Sequence, residues 1–267
     1  MESGHSPHAT AGHATTGPLP PDPMSDACAR FFRTHAELWR FIGFVSDLAL
    51  RVDDMARLAA DAVPPGVSGR PVGGGAQVPA SEGAMARTLR GQRHVFLHMV
   101  LSRLVDSYLA YVAELTVMLA VNNPRALGPG EGVPLELLVE HDSVDEVVDA
   151  LVRDRVFQLA SSGLDALERW IGDRFGFALF AEDTARDRVA RLFEIRNLVA
   201  RHRGLATRRF AGTDREGRLK PGQPVELTVD QLFSDSSLLA RSVTDIDVRA
   251  ADQFDLPRAV SPALPIG

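Results

Sequence analysis

Apolar residues recur along this chain at intervals of three and four, in long stretches divided by segments crowded with proline and glycine. Between Ser25 and Ala62, the residues Phe31, Leu38, Ile42, Val45, Leu48 and Val52 fall at the spacing of an amphipathic helix. From Ala84 to Val121 the run FLHMVLSRLVDSYLAYVAELTVMLAV is apolar around most of its circumference, which predicts the central and most buried helix. SVDEVVDALVRDRVFQLAS opens on Ser143 with Glu146 three residues later, the signature of a capping box. LDALERWIGDRFG predicts a short helix whose Trp170 and Phe175 plug the core. A further helix runs from Glu182 to Arg203 with Val189, Leu192, Phe193, Ile195, Leu198 and Val199 on its apolar side, and Gly204 stands where a left-handed capping residue belongs. The last helix spans Val229 to Asp252.

The segments between these helices define the organisation. Residues 1–23 hold too little apolar surface to offset the entropy of ordering and read as a disordered leader; its His5, His8 and His13 form either a metal-binding tract or part of that flexible leader. Residues 63–83 read as a flexible linker inside the folded unit, and residues 253–267 as a tail. The loop before the last helix carries turn residues and a short β-excursion at QPVEL. Strand signals are otherwise sparse, so the fold class is all-α: a helical bundle with long loops, occupying residues 25–252 of a 267-residue chain that is 45% apolar.

A net charge of -6 gives no overall attraction to nucleic acid, so a polyanion site has to be a local patch. The single cysteine, Cys28, excludes an intramolecular disulfide and a thiolate zinc cluster. No uninterrupted apolar run is long enough for a membrane span, and the N-terminal segment lacks the apolar stretch of a signal peptide; the expectation is a soluble cytoplasmic protein with no membrane partner. The helical region holds one His-x-x-x-His pair, His94/His98, without the intervening glutamate of a zinc-binding motif, and there is no phosphate-binding loop or G-x-S-x-G elbow. No metal or cofactor is expected.

What remains is EIRNLVARHRG, residues 194–204, with Arg196, Asn197 and His202 in the last turns of a helix. Spacing alone is a weak signal, since Arg30/His35, Arg87/His94 and Arg93/His98 stand within one residue of the same separation, but there no asparagine follows the arginine directly. One reading is structural: Arg196, Arg201, His202 and Arg203 are cations near a helix C-terminus, where the macrodipole favours them. The other is chemical. Metal-free RNA cleavage needs a base for the ribose 2′-hydroxyl, an acid for the leaving 5′-oxygen and positive charge on the phosphorane, which histidine and arginine supply. Eleven Arg/Lys against four acids lie between Arg186 and Lys220, so this segment is either an RNA-binding patch or a solvated basic loop.

FEIRNLVARHRGLATRRF resembles the signature of the HEPN superfamily, in particular its RiboL-PSP-HEPN branch. The likeness continues through FLHMVLSRLVDSYLAYVAELT, LLVEHDSVDEVVDALVRDRV and GRLKPGQPVELTVDQL in the family's order, and covers residues 25–252. It implies a helical bundle that forms a homodimer and acts as a metal-independent endoribonuclease in toxin–antitoxin or phage-defence systems, with RNA and an antitoxin or defence protein as partners. The same family also contains catalytically inactive modules that bind RNA or a partner protein. Carried over, it makes Arg196 the motif arginine, Asn197 the polar residue after it and His202 the motif histidine; from the basic segment, Arg201, Arg203, Arg208 and Arg209 are the candidate RNA-binding cations. The branch places its histidine five residues after the arginine, where this chain has Arg201; His202 comes one step later. Glu194 is a supporting acid. Asp106, Ser107 and Glu114 interrupt the buried helix, and the resemblance implies that an acid there approaches the motif arginine; Glu114 is a candidate partner of Arg196, although a helix-face carboxylate facing water is the commoner arrangement. Six helical steps set Arg196 and His202 roughly 120° and 9 Å apart. They can share a phosphate only if the helix frays or two copies of it meet.

Overall fold

The computed structural model describes residues 22–62, 83–127, 139–213 and 219–259. Its helices are α1 (Asp26–Ala62), α2 (Ala84–Gly91), α3 (Arg93–Asn122), α4 (Val144–Ser162), α5 (Leu164–Phe175), α6 (Asp183–His202), α7 (Arg208–Gly212) and α8 (Val229–Phe254), with one 3-10 turn at Pro124–Leu127. Only isolated β-bridges accompany them among the described residues. The chain is all-α, as its periodicity predicts.

At the centre lies α3, packed by α1, α4, α6 and α8. Leu101, Leu104, Tyr108, Tyr111, Leu115 and Leu119 are fully buried along it, leaving a partly exposed stripe through Met99, Arg103, Asp106 and Glu114. Among the described residues it is the one helix long and apolar enough to cross a membrane, but most of that apolar stretch is covered by its neighbours. The predicted single helix from Ala84 is in fact broken at Gln92. Gly91 adds no side chain to hold the turn, and the two parts pack differently: α2 lies against α1, where Asp53 accepts from the backbone N–H of Met85 at 2.9 Å.

Caps set the ends. Ser25 accepts from the N–H of Cys28 at 3.1 Å and is held from behind by Asp247 of α8, which receives both its N–H (3.0 Å) and its hydroxyl. Asp247 is 1% exposed, so this pair fixes where α1 starts relative to the core. Ser143 accepts from Glu146 N–H as expected, but the Glu146 carboxylate returns to Asp142 N–H, so the box is completed one residue early. The reciprocal box belongs to Thr228 and Gln231 at the start of α8.

Three boundaries differ from the sequence reading. α8 continues to Phe254, Leu256 is buried and Ala259 pairs with Met24, so the expected tail from residue 253 is partly core; one buried leucine suffices to draw it in. The β-excursion reduces to a bridge between Leu205 and Pro224. The loop before it holds the short helix α7, capped by Thr207. The leader up to residue 21, with its three histidines, and the linker at 63–82 lie outside the described residues.

Candidate functional site

The C-terminal half of α6 faces a groove of about 220 Å³. Glu194, Asn197, Leu198, Arg201 and His202 form one wall. Ser161, Ser162 and Gly163 at the α4–α5 junction form the second, and Thr207, Arg209 and Phe210 close the end. Four predicted site residues thus meet in one place: Asn197, Arg201, His202 and Arg209, with Glu194 beside them.

Arg196 stands at the back of this wall rather than in it. Its Nε donates to one oxygen of Asp106 on α3 at 2.9 Å, its Nη2 lies 2.8 Å from the same oxygen as an ion pair, and Nη1 donates to the side-chain oxygen of Asn197 at 3.3 Å. The candidate partner Glu114 neither meets Arg196 nor faces water alone: it accepts from Arg30 Nε at 2.7 Å and lies 3.8 Å from Arg153. An acid on α3 does meet Arg196, but two turns earlier than Glu114. The guanidinium in turn orients the Asn197 amide, which lines the groove.

How α6 ends determines where His202 points. Helical geometry persists through His202, so the chain does not fray before the turn. The left-handed step begins at Arg203 (φ 56°) and continues at Gly204 (φ 74°), one residue earlier than the sequence places it. Both residues turn because the Gly204 N–H reaches back to the Leu198 carbonyl at 3.0 Å, closing a Schellman-type cap. Gly204 is required for a second reason. A Cβ there would stand 2.6 Å from Cε1 of His98, whose Nε2 donates to the Val225 carbonyl at 2.8 Å. Val225 N–H then donates to the Gly204 carbonyl at 2.9 Å, so His98 and Val225 clamp the turn that follows His202.

The electrostatics are sorted along α6. At its start Arg186 is paired with Glu168, Asp165 and Asp187, Arg188 lies 3.9 Å from Asp235, and Arg191 stacks over Phe210. At its end Arg201 donates only to the Ser161 carbonyl at 3.3 Å. His202, Arg203, Arg208 and Arg209 are exposed and make no side-chain hydrogen bond or ion pair among the described residues. Arg203 and Arg208 lie outside the groove walls. Uncompensated positive charge is therefore concentrated where the groove opens. Among the described residues no cluster of three or more metal-ligating side chains occurs.

Sequence reasoning missed the Ser161–Gly163 wall, the Thr207 cap and the His98 clamp. His98 is 7% exposed. No family model, curated protein or solved structure matches the chain.

Proposed function

We propose that the chain is a HEPN-type, metal-independent endoribonuclease that works as a dimer in the cytoplasm, as a toxin or phage-defence effector controlled by an antitoxin or defence-system protein. The observation that carries this reading is the convergence of Asn197, Arg201, His202 and Arg209 on one groove, with an exposed imidazole that has no partner among the described residues. In the reaction an imidazole takes the proton of a ribose 2′-hydroxyl, the 2′-oxygen bonds to phosphorus, and the bond from phosphorus to the 5′-oxygen breaks as that oxygen is protonated. Arg201 and Arg209 hold the phosphate oxygens through forked donors. Asn197, fixed by Arg196, orients the scissile group. Because α6 stays helical through His202, the reading relies on two copies of α6 meeting rather than on a frayed end.

The test is cleavage of single-stranded RNA and tRNA in EDTA. Wild-type protein is expected to cut, and His202→Ala to lose about a hundredfold or more in rate, the scale of general acid–base groups. A folded His202→Ala protein that cuts at the wild-type rate refutes the assignment. One observation favours a second reading, that of an inactive module binding RNA or a partner protein: the Arg196 guanidinium is spent on Asp106. In that case RNA binds without being cut, and Arg201→Ala and His202→Ala weaken binding equally.

A further inference from the structure

A second cavity, of about 270 Å³, lies between α1 and α3, with none of the α6 groove residues in its walls. It collects three guanidiniums, those of Arg30, Arg33 and Arg103, around a single carboxylate, Glu114. Arg30 donates to that carboxylate at 2.7 Å. Arg33 and Arg103 are exposed and make no hydrogen bond or ion pair among the described residues. The pocket therefore has an excess of two positive charges. Its wall also contains Ser107, which is 8% exposed and whose hydroxyl has no hydrogen-bond partner among the described residues, although buried hydroxyls are ordinarily bonded. The Tyr111 hydroxyl is not available to it, being turned to the Val243 carbonyl at 3.3 Å and to Asp247.

We propose that this pocket binds a phosphate dianion, carried as a phosphomonoester on a small molecule. The excess charge matches a dianion better than a carboxylate, and guanidinium forks suit phosphate oxygens. Ser107 supplies a short-range donor that the arginines do not. The volume falls just under the roughly 300 Å³ at which pockets for drug-sized ligands begin, so the ligand is small. The packed rings of Phe31 and Tyr111 form an apolar wall for the group that bears the phosphate. This site stands apart from the RNA reading and survives if that reading fails.

Calorimetric titration of the full chain with inorganic phosphate, a nucleoside 5′-monophosphate and the unphosphorylated nucleoside provides the test. The two phosphate-bearing probes are expected to bind and the nucleoside not. Tighter binding of the monophosphate supports the ester as ligand; equal binding identifies free phosphate as the ligand and overturns the ester. The variant Arg33→Ala/Arg103→Ala removes exposed, unpaired side chains, so it is expected to fold and to lose about tenfold or more in affinity, as charge-assisted bonds are lost. Ser107→Ala is expected to weaken phosphate binding with an unchanged thermal midpoint, because its hydroxyl satisfies nothing in the free protein. Failure of both phosphate probes to bind at millimolar concentration overturns the proposal. So does unchanged affinity in the double arginine variant, or a loss seen only in Arg201→Ala/Arg209→Ala, which would move the phosphate to the α6 groove.

Discussion

Arg196 on α6 and Asp106 on α3 are joined by a hydrogen bond from Nε at 2.9 Å and an ion pair from Nη2 at 2.8 Å, both to one oxygen, across 90 residues of sequence. The pair ties the helix that carries the groove to the helix at the centre of the core. Its side chains are 27% and 37% exposed, between the limits of a surface pair and a buried one. A double-mutant cycle of Arg196→Ala and Asp106→Ala in urea is expected to give a coupling of about 1 kcal/mol. Additive effects would show that the bond adds nothing and that Arg196 is free to serve the groove.

Gly204 is constrained twice, by a φ of 74° and by the His98 ring against its Cα. Gly204→Ala is expected to cost about 2 kcal/mol or more, combining left-handed strain with the displacement of a clamped ring. Removing the ring removes one of the two terms. The double variant Gly204→Ala/His98→Ala should therefore be destabilised by less than the sum of the single variants, read from denaturation midpoints; strict additivity contradicts the contact.

Burial of His35 lowers its pKa from 6.5 to about 4. Its Nε2 sits 2.7 Å from the Ser236 hydroxyl, and Trp39 Nε1 lies 3.4 Å away. Folded protein resists protonation at this ring while unfolded chain accepts it below 6.5, so the stability contribution is complete above pH 6.5 and is lost as pH falls from 6.5 to 4. At roughly 1.4 kcal/mol per pH unit, the loss amounts to about 3 kcal/mol at most. Asp235, whose carboxyl is pushed up by burial, acts in the opposite sense at the acid end of this window, because the folded state then takes up a proton first. His35→Gln removes the ring's titration and leaves that of Asp235. Urea midpoints measured from pH 7 to 4 should fall less in His35→Gln than in wild type; parallel profiles would remove His35 from the acid sensitivity.

The legibility of this fold depended on how one-sided each helix is. α6 has a single apolar stripe and ends at a glycine, so its span was readable to within a residue and Asn197, Arg201 and His202 could be placed together. Periodicity says little about α3, because nearly every side of it is buried. Asp106 and Glu114 differ by roughly 80° in azimuth, and both lie on its narrow, partly exposed stripe. Which of the two acids meets Arg196 is therefore not constrained by the pattern. Tertiary position also decides what Gln92 does, and it brings Ser161–Gly163 against α6 from a helix junction with no sequence signal of its own. The basic count between Arg186 and Lys220 was correct, but it did not separate neutralised cations from free ones.

That separation gives the sharpest consequence for RNA. Each single-strand phosphate neutralised contributes roughly 0.7 to the slope of log affinity against log salt. Arg203, Arg208 and Arg209 are exposed and unpaired among the described residues, so each is free to make such a contact without first breaking another. Replacing all three by Gln, which keeps length and polarity, is expected to flatten the slope for single-stranded RNA by about 2, read by fluorescence anisotropy across a range of NaCl. Arg186 is the control. It belongs to the same basic segment, but its guanidinium is held by Glu168 at 2.7 Å and by Asp165, so the charge that RNA would feel is already compensated. Arg186→Gln should leave the slope unchanged, whatever it does to stability. If Arg186→Gln flattens the slope as much as the triple variant does, net charge rather than the end of α6 governs RNA binding, and the groove loses its claim to the backbone.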